Sequence, residues 1–389
     1  MNKYCFLILL ASLFSCSKNT IDKTNTCEMP DYPPHPKAGR FNAVIQNAVH
    51  EGLPGIALLI KDSNGVYVSA AGMADIAHGI KMEPCHISKV ASITKMFMGV
   101  LAFQLSEQGK LDLDHLISDY LSADQLKNIK NADKVTVRQL MMHNTGIYDV
   151  IKDNGFYLDL LNNPPKHRTQ NDILEFVRGK SPAFAPGEGP GYSNTNTLLL
   201  SMILDKLGGK PHEQLLHERI LNPLQLKNTY YFYHDALPEG KVAQGYYDLY
   251  NNGHLENLSS FNTGSGNGYT GIYSNVFDLM TFMDALLIHP TLLSPHSLDQ
   301  MLTFGNKEVD NEERLLGAGI MKDFMNRAPD EFGYGHRGRD LAYSADLFYF
   351  PNSRQTMVLI VNYGTDGDSK LRPAFFDLRK AIVDEMMKE

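Results

Sequence analysis

Residues 90–109 read VASITKMFMGVLAFQLSEQG. Apolar side chains recur there at helical spacing: Met96, Phe97, Val100, Leu101 and Leu105. Gly109 supplies the stop that a left-handed residue gives a helix end. The pattern predicts a helix over Ser92–Gln108. It opens on Ser92-Ile93-Thr94-Lys95. Residues three apart share a helix face, and a first-turn residue holds its backbone N–H at the positive end of the helix. Hydroxyl, amine and anion-stabilising amide therefore meet at one point. A buried lysine loses its proton more readily and can then take the proton of a serine. The S-x-x-K spacing alone is weak, since a chain of this size and composition holds roughly one by chance. A capping serine followed by a solvated lysine fits it equally. The apolar flanks, Val90-Ala91 and Met96-Phe97-Met98-Gly99, favour a buried helix start.

Outward from this helix the patterning changes at both ends. Phe41–Glu51 has helical spacing. Gly55–Lys61 is a short apolar run, Asn64-Gly65 a turn, and Val66–Ala71 its return, a hairpin signature. Downstream, Val137–Met142, Asn171–Val177, Thr195–Leu207 and His212–Leu221 read as helices. Gly264–Gly271 reads as a loop and Val276–Leu287 as a helix. Leu341–Tyr363 turns to strands with a corner at Pro351-Asn352, and Pro373–Met387 is an amphipathic helix. Strands at both ends with helices between predict one sheet assembled from distant segments. The expected fold class is α+β: an α/β sandwich with an antiparallel sheet flanked by helices, plus a helix-rich region at about 110–265.

Two further stretches carry chemistry. Tyr192-Ser193-Asn194 follows the Pro-Gly loop Phe184–Gly191 and precedes a helix. A tyrosine at such a junction can shuttle a proton, and Asn194 can orient the lysine or bind a substrate carbonyl. Tyr250-Asn251-Asn252 and Tyr273-Ser274-Asn275 are rival matches. His336-Arg337-Gly338-Arg339 stands before the strand run. Gly338 permits close backbone approach, and the N–H of Arg339 could be a second oxyanion donor. A solvated loop histidine is the plain alternative for His336. Strand alternation puts Arg337 and Arg339 on one face, opposite His336; either could bind a substrate carboxylate or sit solvated at an edge. Asp149, past the Gly146 loop, could line the pocket, with a plain loop acid as the favoured reading.

S-x-x-K, Y-x-N and H-x-G in this order resemble the serine β-lactamase and D-alanyl-D-alanine carboxypeptidase superfamily, in the branch of class C β-lactamases and related penicillin-binding-protein-like esterases. The resemblance spans about Phe41–Asn362. It extends to connecting text: LSEQGKLDL at 105–113, VTVRQLMMHNTG at 135–146, LNPLQLKNT at 221–229 and the stretch Gly271–Met283. The last places Tyr273 in a downstream loop and favours Tyr192. The resemblance implies a β-lactamase/transpeptidase-like fold and an acyl-enzyme on Ser92. Lys95 and Tyr192 would be general base and acid, Asn194 would hold substrate and lysine, and the N–H groups of Ser92 and Arg339 would form the oxyanion hole. His336 would stand where other branches carry a lysine. No metal and no cofactor is implied. The substrate class would be a peptide, amide or β-lactam, with small acyl esters as one alternative and a non-turning-over penicillin sensor as another. The chain departs from the family at Asn144-Thr145, at Gly189-Pro190-Gly191 and at Arg339-Asp340.

Lys3 and the apolar stretch Tyr4–Phe14 form an export signal, too short to span a bilayer. Ser15-Cys16 then resembles a lipobox, predicting cleavage after residue 15, lipid on Cys16 and a membrane-anchored periplasmic or cell-surface lipoprotein. An ordinary signal peptide cut near Ser15 or Ser17 is the alternative. Residues 16–39, rich in proline, read as a tether, and 40–389 as the hydrolase domain. Cys27 and Cys85 could pair after export, or Cys85 could stay free and buried. Lys+Arg 36 against Asp+Glu 44 gives a net charge of −8 over 389 residues, and no basic run argues for nucleic acid. His212 and His217 are five apart, off one helix face, unlike zinc-binding HExxH. Oligomeric state has no signature here.

Overall fold

The structure is a computed structural model and describes residues 29–388 except 265, 306, 309 and 310. The signal segment, Cys16 and Cys27 lie outside the described residues. Six helices and nine strands position the site. They are helices α1 (Ala38–His50), α2 (Thr94–Glu107), α3 (Asn154–Asn162), α4 (Asn194–Gly208), α5 (Val276–Met283) and α6 (Arg372–Met387). The strands are β1 (Gly55–Asp62), β2 (Gly65–Asp75), β3 (Ile80–Lys81), β4 (Lys307–Glu308), β5 (Asn311–Leu316), β6 (Met321–Asp323), β7 (Gly333–Arg339), β8 (Ser344–Phe350) and β9 (Gln355–Val361). Among the described residues these strands make one sheet in the order β3-β2-β1-β9-β8-β7-β6-β5-β4. Every pairing is antiparallel. The predicted hairpin is present, and β1 joins the distant β9 with Ile56 opposite Val361.

Alternation divides the core in two. Ala57 and Leu59 of β1 face the helical region with Leu347, Val358 and Ile360. Ile56, Leu58 and Ile60 face Phe41 and Ile45 of α1 and Phe375, Leu378 and Ile382 of α6. Both sheet faces are thus covered, which is why β1 and β9 are apolar at consecutive positions. On the helical side α2 is buried from Thr94 to Phe103. Phe97 stacks on Phe282 of α5 with centroids 3.8 Å apart. Burying one such side chain contributes about 1.5–3 kcal/mol, so α2 is anchored firmly at the junction of sheet and helices.

Two expectations need correction, and one open alternative is decided. His336 lies within a strand of its own, β7, ahead of the strand run read from Leu341. The described end of the presumed tether docks: His35 is buried, with its Nε2 3.1 Å from Asp62 Oδ1 at the end of β1. Of the two readings of Cys85, the structure has the bonded one. No helix among the described residues is long and apolar enough to cross a membrane.

Candidate active site

Ser92 sits in a 3₁₀ turn, Ala91–Ile93, that leads into α2. The turn is tied to the segment Ile272–Ser274. Val90 N–H donates to the Ile272 carbonyl at 2.9 Å. Thr94 Oγ1 accepts from Ile272 N–H at 3.1 Å and donates to the Ala91 carbonyl at 2.7 Å. Ala91 has φ +47°, a left-handed conformation uncommon for a residue with a side chain. Such conformations persist where the surroundings over-determine them, often at working sites. Here β7 does so: a Cβ on Gly338 would lie 2.1 Å from the Val90 carbonyl oxygen.

Lys95 is buried one turn on. Its Nζ donates to Asn194 Oδ1 at 2.7 Å, to the Tyr269 carbonyl at 2.7 Å and to Ser92 Oγ at 3.0 Å. Burial brings its pKa down to about 7, with Asp149 and Asp366 opposing that shift and Arg314 adding to it. Two of its three acceptors are carbonyl-type oxygens, which cannot donate. When Nζ loses one proton, its two remaining N–H groups stay on those carbonyls. The lone pair is then left facing Ser92 Oγ.

Asn194 opens α4, and Asp149 holds it. The carboxylate accepts from Asn194 N–H at 2.9 Å and lies 3.3 and 3.4 Å from Nδ2. The amide therefore turns Nδ2 to the acid and Oδ1 to Lys95. Asp149 sits at the positive end of α4, although burial raises its pKa. This residue, read as a plain loop acid, is the partner that orients Asn194. His143 plays a matching part for Tyr192. The two rings lie 4.5 Å apart, and His143 Nδ1 accepts from Ser193 N–H at 3.3 Å. Burial, then Lys95 and Arg314, depress its pKa well below the ordinary value. It is thus neutral with its proton on Nε2, a tautomer assigned from this hydrogen bond. Lys95 Nζ stands 5.0 Å from the Tyr192 ring centroid.

His336 projects from β7 to the same point, its ring 6.1 Å from that of Tyr192. Its Nδ1 donates to the Arg337 carbonyl at 2.6 Å, leaving Nε2 as an acceptor. Burial and the nearby Lys95 hold its pKa well below normal. At neutral pH this position carries no charge. Asp340 N–H donates to the Tyr343 carbonyl at 3.0 Å, closing the β7–β8 ladder. N–H groups alternate sides along an antiparallel strand. The Arg339 N–H therefore points away from β8, over the edge that β6 leaves open beyond Gly335. Gly338 against Val90 puts this edge beside the Ser92 turn.

The arginine side chains do not reach a substrate. Both lie on the α6 face of the sheet, as alternation required, but in a buried ion network. Arg337 donates to Asp323 and, at 3.0 Å, to Glu313. Arg339 donates to Asp346 at 2.7 Å, and Arg379 of α6 bridges Asp323 and Asp346. The expectation of a carboxylate-binding arginine fails because these guanidinium groups already hold buried carboxylates. Asp340 is likewise occupied, with Lys89 Nζ at 2.7 Å.

Above Ser92 opens a cleft of about 310 Å³, walled by Phe156 and Leu160 of α3 and by Tyr157, Tyr192 and Asp366. A family model described as Beta-lactamase matches residues 41–379. The chain belongs to the Beta-lactamase family. Members of this superfamily are serine hydrolases of β-lactamase and penicillin-binding-protein type. This Beta-lactamase family chain is similar to a D-stereospecific amidohydrolase from Streptomyces sp., with 26% identity and a TM-score of 0.78 over 89% of this chain and 98% of that one. The fold is shared with a penicillin binding protein from Bacillus halodurans: 24% identity, TM-score 0.73, covering 91% and 99%. It is shared also with a D-amino acid amidase from Ochrobactrum anthropi SV3: 22% identity, TM-score 0.77, covering 89% and 98%. Among curated relatives, Protein flp of Staphylococcus aureus (strain MW2) is 27% identical over 214 residues. That match covers 53% of this chain and 41% of flp, so the chain spans well under half the length of this relative.

Proposed function

We propose that this chain is an amidohydrolase that works through an acyl-enzyme on Ser92. The observation that carries the reading is the environment of Lys95. A buried amine with pKa about 7, fixed to two carbonyls and 3.0 Å from a hydroxyl, is a base aimed at one proton. Lys95 takes the Ser92 proton as Oγ attacks the substrate carbonyl, and the charge that develops on the carbonyl oxygen meets the N–H groups of Ser92 and Arg339. The proton passes through Lys95 and Tyr192 to the leaving amine. Water then attacks the ester carbonyl, and the same groups return the proton to Ser92. Peptides and amides are favoured as substrates over β-lactams, because the amidohydrolase from Streptomyces is similar along nearly its whole length. The neutral His336 supports a second reading, hydrolysis of small acyl esters, since a site without a cation there has less hold on a substrate carboxylate.

The test is covalent. A fluorophosphonate probe labels the wild-type chain, and Ser92→Ala abolishes the label; labelling that survives in the variant sinks the assignment. Side-by-side turnover of a chromogenic cephalosporin, p-nitrophenyl butyrate and a D-Ala-D-Ala peptide separates β-lactam, ester and peptide chemistry. A burst without turnover would mark a sensor instead. We also propose export and lipid attachment at Cys16. The apolar segment that ends at that cysteine supports this, as does the disulfide at Cys85, a bond of oxidising compartments.

A further inference from the structure

A buried ion pair spans the two halves of the site, and the chemistry above leaves it unused. Lys89 stands three residues before Ser92, and Asp340 directly follows Arg339. Both side chains are buried, and Lys89 Nζ lies 2.7 Å from Asp340 Oδ2. Thr263 Oγ1 closes the triangle: it accepts from Lys89 Nζ and donates to Asp340 Oδ2 at 2.7 Å. The other Asp340 oxygen accepts from Leu341 N–H at 2.7 Å, which fixes the carboxylate in orientation. Thr263 in turn reaches the base. Its carbonyl accepts from Tyr269 Oη at 3.1 Å, and the Tyr269 carbonyl is one of the two that hold Lys95. Three segments thus meet at one charge pair: Ser88–Lys89 leading to Ser92, the end of β7, and the loop that carries Tyr269. Gly338 against the Val90 carbonyl sets how closely β7 approaches the Ser92 turn. The ion pair lies just outside that contact on both chains and resists their separation.

We propose that Lys89, Asp340 and Thr263 form a clamp that sets the gap between the Ser92 and Arg339 N–H groups, and so are positioning residues for the oxyanion hole. The inference rests on the acyl-enzyme reading of Ser92. Such a hole works when both donors stand about 2.7–3.1 Å from the oxygen on which charge develops. The Ser92 N–H rides on the turn that follows Lys89, and the Arg339 N–H belongs to the residue before Asp340. A clamp between Lys89 and Asp340 therefore acts on both donors at once. Its effect falls on the transition state rather than on the bound substrate.

The test uses the full chain and separates position from stability. Lys89→Met strands Asp340 and should lower both the thermal midpoint and turnover. The informative variant adds Asp340→Asn to it, which leaves no stranded charge. Its thermal midpoint should recover most of that loss. Its kcat/KM for p-nitrophenyl butyrate should stay about a hundredfold below wild type, the scale for one oxyanion donor. The loss should lie in kcat, with KM little changed. Phenylboronic acid, whose tetrahedral adduct on the serine puts an oxygen in the hole, should bind more weakly by a similar factor. Thr263→Val leaves the charges paired and should give the same pattern at about five- to tenfold, the scale of a single hydrogen bond. Should the double variant fail to fold, Thr263→Val decides on the same readouts. Turnover that recovers along with the thermal midpoint, or a loss confined to KM with boronate binding unchanged, overturns the proposal. Fluorophosphonate labelling keeps the two readings apart. An unlabelled wild type condemns the Ser92 chemistry and the clamp with it, whereas a labelled wild type whose double variant turns over normally condemns the clamp alone.

Discussion

Lys95 decides what Ser92 can do, and its surroundings set when. As a base it works only without its extra proton. Acylation should therefore rise about tenfold per pH unit below a midpoint near the lysine's pKa of about 7 and level off above it. The burst phase with p-nitrophenyl butyrate measures this directly. Asp149 supplies a sign test. Its negative charge favours the ammonium form of Lys95, so Asp149→Asn removes that support and should move the midpoint to lower pH. The isosteric amide keeps an acceptor for the Asn194 N–H, and fold loss is a poor explanation for a shift. A midpoint that stays or rises would deny Asp149 its place in the lysine's field. Ser92, Lys95, Tyr192 and Asn194 were legible in the sequence because each sits in a short motif with its own chemistry. Asp149 and His143 were not, since each acts through the orientation of another side chain. The signal available was their place on either side of Gly146, in a segment already matched to the family, but spacing does not reveal which loop residue turns inward.

Among the elements, β7 does the most with the least sequence signal. Its residues, GYGHRGR, include three glycines and no aliphatic side chain. The apolar patterning that revealed β1, β2, β8 and β9 is absent because one face is satisfied by ion pairs and the other must stay open for close approach. The strand was therefore left outside the strand run, and the charged β5 went unseen for the same reason. Most helices were legible to within a few residues, since their apolar faces pack on a continuous core, but α3, which walls the cleft, was not foreseen. Gly338 shows why β7 needs its composition. A methyl group there meets the Val90 carbonyl at 2.1 Å, closer than any real contact. Gly338→Ala should push the Ala91–Ile93 turn away from the Arg339 N–H. We expect kcat/KM to fall by about a hundredfold or more, the scale for losing one oxyanion donor, while the thermal midpoint changes far less. Kinetics and a melt on the same sample check this. A variant with normal turnover would mean that β7 does not set the position of Ser92.

At the scale of the molecule, the sheet separates two tasks. Its helical face carries the cleft, and its other face closes on α1 and α6 around a buried charge network. Asp323 and Asp346 there hold Arg337, Arg339 and Arg379. The network fastens β6, β7 and β8 to α6, and through β7 it holds the strand that abuts Ser92. Buried pairs add little net stability over apolar residues of like volume, but removing one partner strands the others in a dry interior. Asp323→Asn should therefore destabilise the chain by about 3–5 kcal/mol, read as a lower urea midpoint at pH 7. The pH dependence has a definite sign. Arg337 and Arg379 oppose burial and hold the Asp323 pKa well below the usual carboxylate range. A depressed carboxylate pKa gives stability that is complete above the unfolded value, about 4, and is lost as pH falls from there toward the folded value. The gap between wild type and Asp323→Asn should thus be widest near neutrality and shrink progressively below about pH 4. A gap that is constant across this range would show that the variant loses packing rather than charge. In that case the sheet would owe its attachment to α6 to the apolar contacts of Phe375, Leu378 and Ile382 alone.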